Sequence, residues 1–351
     1  MEDTIVYLLE NACNSIKYRL KSEVLNNITH DEKIELQKQI LSEKNVKEII
    51  SVQKADGWIG NGFHGSNAHA PGMLNQEGGL KYLIEKGIQK DNPIIERAIS
   101  SFSNRDITDL CYRTKGKLVD EYVYPCIGHR LYITTIIAHA GYEDKVDISN
   151  NIKLAFDSFI SVLNIDSIDD LLTVYKGKLC FRDGIKWPCI YHLRTLAYTK
   201  SWRTHRNIQK LADSINKLIE ILPLVDNDIY TKYKSQLVAP SEAFINQPFI
   251  PSFNNNDVSQ KWFERMELLA KCGVFPYVDK LQSELTLMKA EALMSNGILK
   301  LSVNPKNLSS FKVWGPYGGL ALEENWRIKN RQWNDLTFRM VLISHYSEIM
   351  K

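Results

Sequence analysis

Apolar residues recur at helical spacing along most of the chain. Ile5, Leu8, Leu9 and Ala12 fall at i, i+3, i+4 and i+7, the stripe by which a helix buries one face. Asn14-Ser15 can cap a second helix carrying Ile16, Leu20 and Val24, and a third starts near Asp31. Val46, Ile49 and Ile50 begin another. Leu80, Leu83 and Ile84 mark a helix that stops near Gly87, and Pro93 restarts it ahead of Ile94, Ile95, Ala98, Ile99 and Phe102. The alternation continues with Tyr124-Pro125 opening a helix that ends near Gly141, with a partner over 148–163. Trp187-Pro188 opens the next, followed by 208–222, then 262–272 and 277–294. Trp314-Gly315-Pro316-Tyr317 is expected to lead a helix through Leu320 and Leu322, and Asp335 to cap the last one. Period-two alternation is confined to 299–303 and 179–181, both beside glycine turns. The pattern predicts an all-α chain of helix hairpins with a few short β-hairpins.

One internal repeat is explicit. Lys115-Gly116-Lys117-Leu118 precedes Tyr124-Pro125-Cys126-Ile127-Gly128-His129, and Lys176-Gly177-Lys178-Leu179 precedes Trp187-Pro188-Cys189-Ile190-Tyr191-His192. Such periodicity indicates stacked units, each unable to bury its apolar face alone. Segment 236–258 breaks it with Pro240, Pro248 and Pro251, yet carries Phe244, Ile245, Phe249, Ile250 and Phe253. It is too apolar for a solvated loop and reads as a strap or lid. The organisation expected is one domain over 1–351, with 1–45 as a helical N-terminal extension.

Composition changes this picture little. The 351 residues carry 44 basic and 41 acidic side chains, a net charge of +3. A nucleic-acid partner relies on a concentrated basic face, so none is expected. No apolar run reaches the ~18–20 residues of a membrane span, and Met1-Glu2-Asp3-Thr4 does not open like a signal peptide. Six cysteines are too sparse for a disulfide scaffold. These features give the expectation of a cytoplasmic protein with reduced thiols and no stable membrane insertion.

The turn Gln53…Asp56-Gly57-Trp58-Ile59-Gly60 resembles the Q-x-x-D-G-x-W repeat of terpenoid cyclases and protein prenyltransferases. The following Leu80-x-x-Leu83…Gly87…Pro93-x-Ile95-x-x-Ala98 resembles the helix pair of that repeat. The resemblance implies an (α/α) toroid, inner helices around a cavity and outer helices around them, with helices before residue 45 that look HEAT-like. It covers 45–351 and is strong over 50–105. The chain departs from squalene-type cyclases in lacking a D-x-D-D motif. Asp166-Ser167-Ile168-Asp169-Asp170 is the nearest match, but its spacing is wrong, and it reads instead as a helix N-terminus.

Candidate chemistry sits at the turns. His64 and His69 lie in the Gly-rich stretch after Asp56 and Trp58. His64 with Asp56 are the acid–base candidates, because imidazole titrates near neutrality; the alternative is a turn satisfying its own backbone. Cys126 with His129, and Cys189 with His192, are three apart and share a helix face. They are candidate metal ligands, zinc or magnesium, the resemblance to prenyltransferases favouring zinc. The competing reading is a small buried Cys and a His that caps or bonds within the core. Lys115 and Lys178 flank glycines and are candidate anion contacts, or solvated turns. Trp58, Trp187 and Trp314 are candidate pocket walls whose ring faces would stabilise cations, or plugs at helix junctions.

The leading expectation is an enzyme of the prenyltransferase or terpene cyclase type acting on an apolar, isoprenoid-like small molecule. The rival is a non-catalytic helical-repeat module that holds a lipid-like molecule or a protein partner.

Overall fold

The computed structural model describes residues 1–64, 72–103, 129–225, 227–233, 235–240, 242–254 and 257–349. They are mostly helical, with two small antiparallel sheets. The chain opens with α1 (Glu2–Asn11), α2 (Asn14–Arg19), a π-helical turn (Leu20–Val24), α3 (His30–Ser42) and α4 (Lys44–Ser51). α5 (Gln76–Glu85) and α6 (Pro93–Ser100) follow. Next come α7 (His129–His139), α8 (Ser149–Ile160), α9 (Ile168–Leu171), β1 (Leu172–Tyr175), β2 (Lys178–Phe181), α10 (Ile190–Tyr198), α11 (His205–Ile221), β3 (Thr231–Tyr233) and β4 (Gln236–Val238). The chain finishes with α12 (Gln260–Cys272), α13 (Asp279–Leu293), α14 (Leu308–Lys312) and α15 (Lys329–Ile349).

Two compact units emerge. The first comprises Met1–Asn104, Ser252–Ala270 and Leu281–Lys351; the second comprises Arg105–Pro251 and Lys271–Lys280. The helices form where local chemistry supplies their ends. Thr29 and Glu32 make a reciprocal capping box on α3. Asn92 accepts the Ile94 N–H at 3.0 Å ahead of Pro93, whose missing N–H costs nothing at that position. Thr204 accepts the Asn207 N–H at 3.2 Å, and α11 then buries Leu211, Ala212, Ile215 and Leu218 along one stripe.

In the first unit α1 packs on α15 and α2 on α3, with Leu8, Ile16, Leu20 and Ile40 buried. The charges there are paired. Arg19 reaches Glu85 at 2.8 Å and Glu23 at 2.6 Å; Arg339 reaches Glu85 at 3.0 Å and Glu267 at 2.8 Å. Burial works against the Arg339 charge, but Glu267 and Glu85 outweigh it and hold the guanidinium above its usual value. Buried Lys86 pairs with Glu43 and donates to the Leu322 carbonyl. Breaking one side of such a pair leaves an uncompensated charge.

In the second unit α10 packs on both α7 and α8, and α11 on α8. Thr135 of α7 meets Thr195 of α10 at 3.0 Å, and Tyr132 lies against Tyr191. β1 and β2 pair with Tyr175 opposite Lys178, turning through Lys176 and Gly177, both at positive φ. That is the backbone of a two-residue hairpin. The described part of the expected strap up to residue 251 is pinned to this unit. Leu224 N–H donates to Ile245 O, Phe244 N–H to Pro188 O and Ile190 N–H to Glu242 O, while Phe244 and Phe249 are buried edge to face.

Three expectations are corrected. Residues after Trp314 form no helix: Gly315 bridges Gly318 across a tight turn, and Leu320–Leu322 run on irregularly. The adjacent Gly318-Gly319 pair explains the break, since Gly319 adopts φ +92°. Asp335 does not cap the last helix, which begins earlier at Lys329. Residues 299–303 keep alternate burial, with Leu299, Leu301 and Val303 inside, but form no ladder; Leu299 N–H bonds instead to Thr337 Oγ1 at 2.9 Å.

Candidate functional site

The site is built from the Gln53 turn upward. Gln53 Nε2 donates to the carbonyls of Gly57 (3.0 Å) and Ile94 (2.9 Å), and Arg97 donates to its Oε1. Gln76 does the same one layer on: its Oε1 accepts Ile59 N–H at 2.7 Å and its Nε2 donates to Ala98 O at 2.7 Å. Two side-chain amides, Gln76 buried and Gln53 half-buried, thus tie this turn to α6. Asp56 is exposed and accepts the Trp58 N–H at 3.0 Å, an Asx-type turn bond. Trp58 is buried, edge-on to Phe102 at 5.7 Å and tilted on Phe63 at 6.2 Å. This aromatic cluster fixes Phe63 and therefore the backbone of His64.

Loop backbone then satisfies the free N–H groups at the start of α5. Gln76 N–H donates to Gly62 O and Glu77 N–H to Phe63 O, both at 3.1 Å. The opposite wall approaches with equal closeness. A Cβ on Gly78 would stand 2.1 Å from Gly72 O, and one on Gly72 would stand 2.4 Å from Trp314 O. Only glycines let these three backbones meet, and their meeting brings the Trp314 turn beside His64.

Three side chains converge there. His64 Nδ1 lies 2.6 Å from Glu77 Oε2, and His64 Nε2 lies 2.9 Å from the Tyr317 hydroxyl. The two rings meet edge to face at 5.5 Å. The Glu77 side chain is 5% exposed, that of His64 22%, and Tyr317 39%. The array runs from buried carboxylate, through imidazole, to an accessible phenol. An ionised carboxylate only accepts, so in the neutral imidazole Nδ1 carries the proton and Nε2 accepts from Tyr317. That tautomer turns the Nε2 lone pair toward the Tyr317 hydroxyl.

Lys81 closes the turn. Its Nζ donates to Gly318 O at 3.0 Å, pairs with Glu264 at 3.7 Å and lies 5.9 Å from the Trp314 ring. Glu77, Lys81 and Glu85 are successive fourth residues on α5. They form one polar row that binds His64, the Tyr317 turn and the arginine pair in turn. Trp314 itself is buried, edge-on to Tyr82 at 5.0 Å, its Nε1 donating to Ala321 O at 3.3 Å.

The remaining sequence candidates divide differently. Cys189 and His192 do come together, as a capping box at the start of α10. His192 Nδ1 accepts the Cys189 N–H at 3.2 Å, the Cys189 side chain accepts the His192 N–H, and both side chains are buried. His129 opens α7; Cys126, Lys115 and His69 lie outside the described residues. Among the described residues no cluster of three or more His, Cys, Asp or Glu is arranged to hold a metal ion. Lys178 is exposed on the β1–β2 hairpin, beside the turn residue Lys176, whose Nζ donates to Ser235 O. Trp187 is buried, its Nε1 donating to Phe244 O at 2.7 Å, which makes it a junction plug. Ser167 and Asp170 form the capping box of α9.

Sequence reasoning missed Glu77 and Lys81, and took Tyr317 only as an aromatic in a turn. The fourfold spacing Glu77–Lys81–Glu85 was a usable signal for a functional face, but nothing local pairs His64 with Tyr317. Comparison with known proteins finds no matching family model, no matching curated protein and no matching solved structure. Among the described residues no helix is long and apolar enough to cross a membrane.

Proposed function

We propose that the chain is an enzyme that moves a proton on an apolar, isoprenoid-like small molecule, in the manner of terpenoid cyclases, with the prenyltransferases sharing the fold and substrate class. Its helix hairpins are proposed to form an irregular (α/α) toroid around the ligand. The observation that carries the catalytic part is the Glu77–His64–Tyr317 array, a general acid–base set graded from buried to accessible. The substrate class rests on the resemblance of the Gln53 turn. The fold supports that resemblance in one respect: Gln53 ties the turn to the following helix hairpin. In this reading His64 is the base, Glu77 orients it and offsets its charge, and the aromatic cluster around Trp58 holds the loop.

The test is turnover of a panel of isoprenoid alcohols and diphosphates in deuterated water, with products read by mass spectrometry. Deuterium-labelled product from the wild type, reduced ~10²–10⁴-fold in His64→Gln, is expected for the loss of a general base. A bound isoprenoid in native mass spectra with no product from either protein would replace the enzyme with a binding module.

A further inference from the structure

We infer that the phenol of Tyr317 is the terminal catalytic acid–base and that His64 relays its proton, an inference that rests on reading this site as a proton-transfer site. Both imidazole nitrogens are committed: Nδ1 faces Glu77 at 2.6 Å and Nε2 faces the Tyr317 oxygen at 2.9 Å. A substrate reaching His64 directly would have to displace one of them. Tyr317 is the most accessible of the three at 39%, against 22% and 5%. Its edge-to-face seat at 5.5 Å leaves the imidazole edge bonded to the phenol oxygen.

The turn that carries Tyr317 is held for this purpose. Gly315 bridges Gly318, and Lys81 grips the Gly318 carbonyl at 3.0 Å. Lys81 is therefore a positioning residue: it acts on the turn, and the turn aims the hydroxyl. The proton balance closes without any co-reactant. As the Tyr317 O–H bond breaks toward His64 Nε2, the phenol oxygen takes a proton from the substrate. The resulting imidazolium is stabilised by Glu77. The reverse sequence protonates substrate and returns His64 to neutral.

A phenol activated in this way is a nucleophile that can be titrated without knowing the substrate. A small aryl sulfonyl fluoride is the probe: the phenol oxygen forms the O–S bond, fluoride leaves and His64 takes the proton. Labelling at Tyr317 is read by peptide mass spectrometry on the full chain, with N-acetyltyrosinamide as the free reference. The expected result is labelling at least ~10-fold faster than the reference, falling to the reference rate in His64→Gln and in Glu77→Gln, as removal of a general base requires. Two variants guard against one failing to fold, and the wild-type rate ratio needs neither. Labelling at the reference rate in the wild type, or fast labelling indifferent to both variants, overturns the inference. Lys81→Met is expected to slow labelling while Lys81→Arg restores it; equal loss in both would remove the positioning role. Fast, His64-dependent labelling without isoprenoid turnover leaves the relay standing and removes the substrate class. Isoprenoid turnover that needs His64 but survives Tyr317→Phe removes the relay and leaves the enzyme.

Discussion

His64 and His192 each engage Nδ1 with a neighbour, and the neighbours decide what the residues are for. His192 accepts a backbone N–H from Cys189 inside the second unit and is fully buried. Its ring completes a helix cap. His64 meets the Glu77 carboxylate on one side and the Tyr317 phenol on the other, within the first unit and with a path outward. An imidazole between two titratable groups can pass protons to them; one whose Nδ1 accepts a backbone amide fixes a helix end with that nitrogen. Residue type and spacing do not distinguish the two cases.

The sharpest break of the comparison is at the support beneath His64. Trp58→Ala removes the centre of the Trp58–Phe63–Phe102 cluster and is expected to destabilise by ~3–5 kcal/mol, as a large-to-small core change. Equilibrium denaturation measures this, and a near-neutral result would place Trp58 outside the core. His192→Ala comes next. It leaves the buried Cys189 N–H without its acceptor, at an expected cost of ~1–3 kcal/mol. His64→Gln should fall below ~1 kcal/mol, since the half-buried ring is replaced by an amide that can still donate to Glu77. If the two histidine variants swap order in thermal melts, the assignment of structural and functional histidine is reversed.

A pH experiment separates a third buried group from the site. Asp335 accepts N–H bonds from Leu322 (2.8 Å), Glu323 (3.0 Å) and the Trp326 indole (2.5 Å). Burial, with the nearby Glu323 charge, nevertheless pushes its carboxyl up to about 7 from 3.8. The folded state thus binds this proton more tightly than the unfolded chain does. Its stabilising contribution is fully present below the unfolded value and is lost as pH rises toward 7. Asp335→Asn should be less stable at low pH, by ~1–3 kcal/mol for the misfit amide, and should lose this part of the slope. An unchanged slope between the two values would mean that Asp335 is ionised throughout. The smallest effect belongs to Lys178→Ala, expected within ~0.5 kcal/mol as an exposed hairpin change and without influence on ligand binding. Weakened binding of an isoprenoid diphosphate would bear out the anion-contact reading of that lysine.

Much of the fold was legible because its signals are local. The Gln53 turn, the α5–α6 pair and the Pro93 start in the first unit, and the Ser167–Asp170 cap in the second, each follow from residues a few positions apart. His64 was legible as a loop histidine for the same reason. Its partners were not. Tyr317 lies 253 positions away, and no local rule joins such residues. Its turn was masked by Pro316 after Gly315, a pair that also reads as a helix start. Asp335 misled because aspartate favours N-caps, whereas Asp335 lies inside α15 and its carboxylate is spent on the loop over Leu322–Trp326. The paired Cys-x-x-His copies drew attention as ligands; in the second copy the spacing served the first turn of a helix.

The central claim is that His64 holds its proton on Nδ1 toward Glu77 and presents Nε2 as an acceptor to Tyr317. Nitrogen-15 correlation spectra of the histidine rings report the tautomer directly. The account predicts an Nδ1–H tautomer for His64 near neutral pH, with a strongly downfield Nδ1 proton that moves upfield in Glu77→Gln and an Nε2 signal that shifts in Tyr317→Phe. A resting Nε2–H tautomer, or a ring unaffected by both variants, would contradict it.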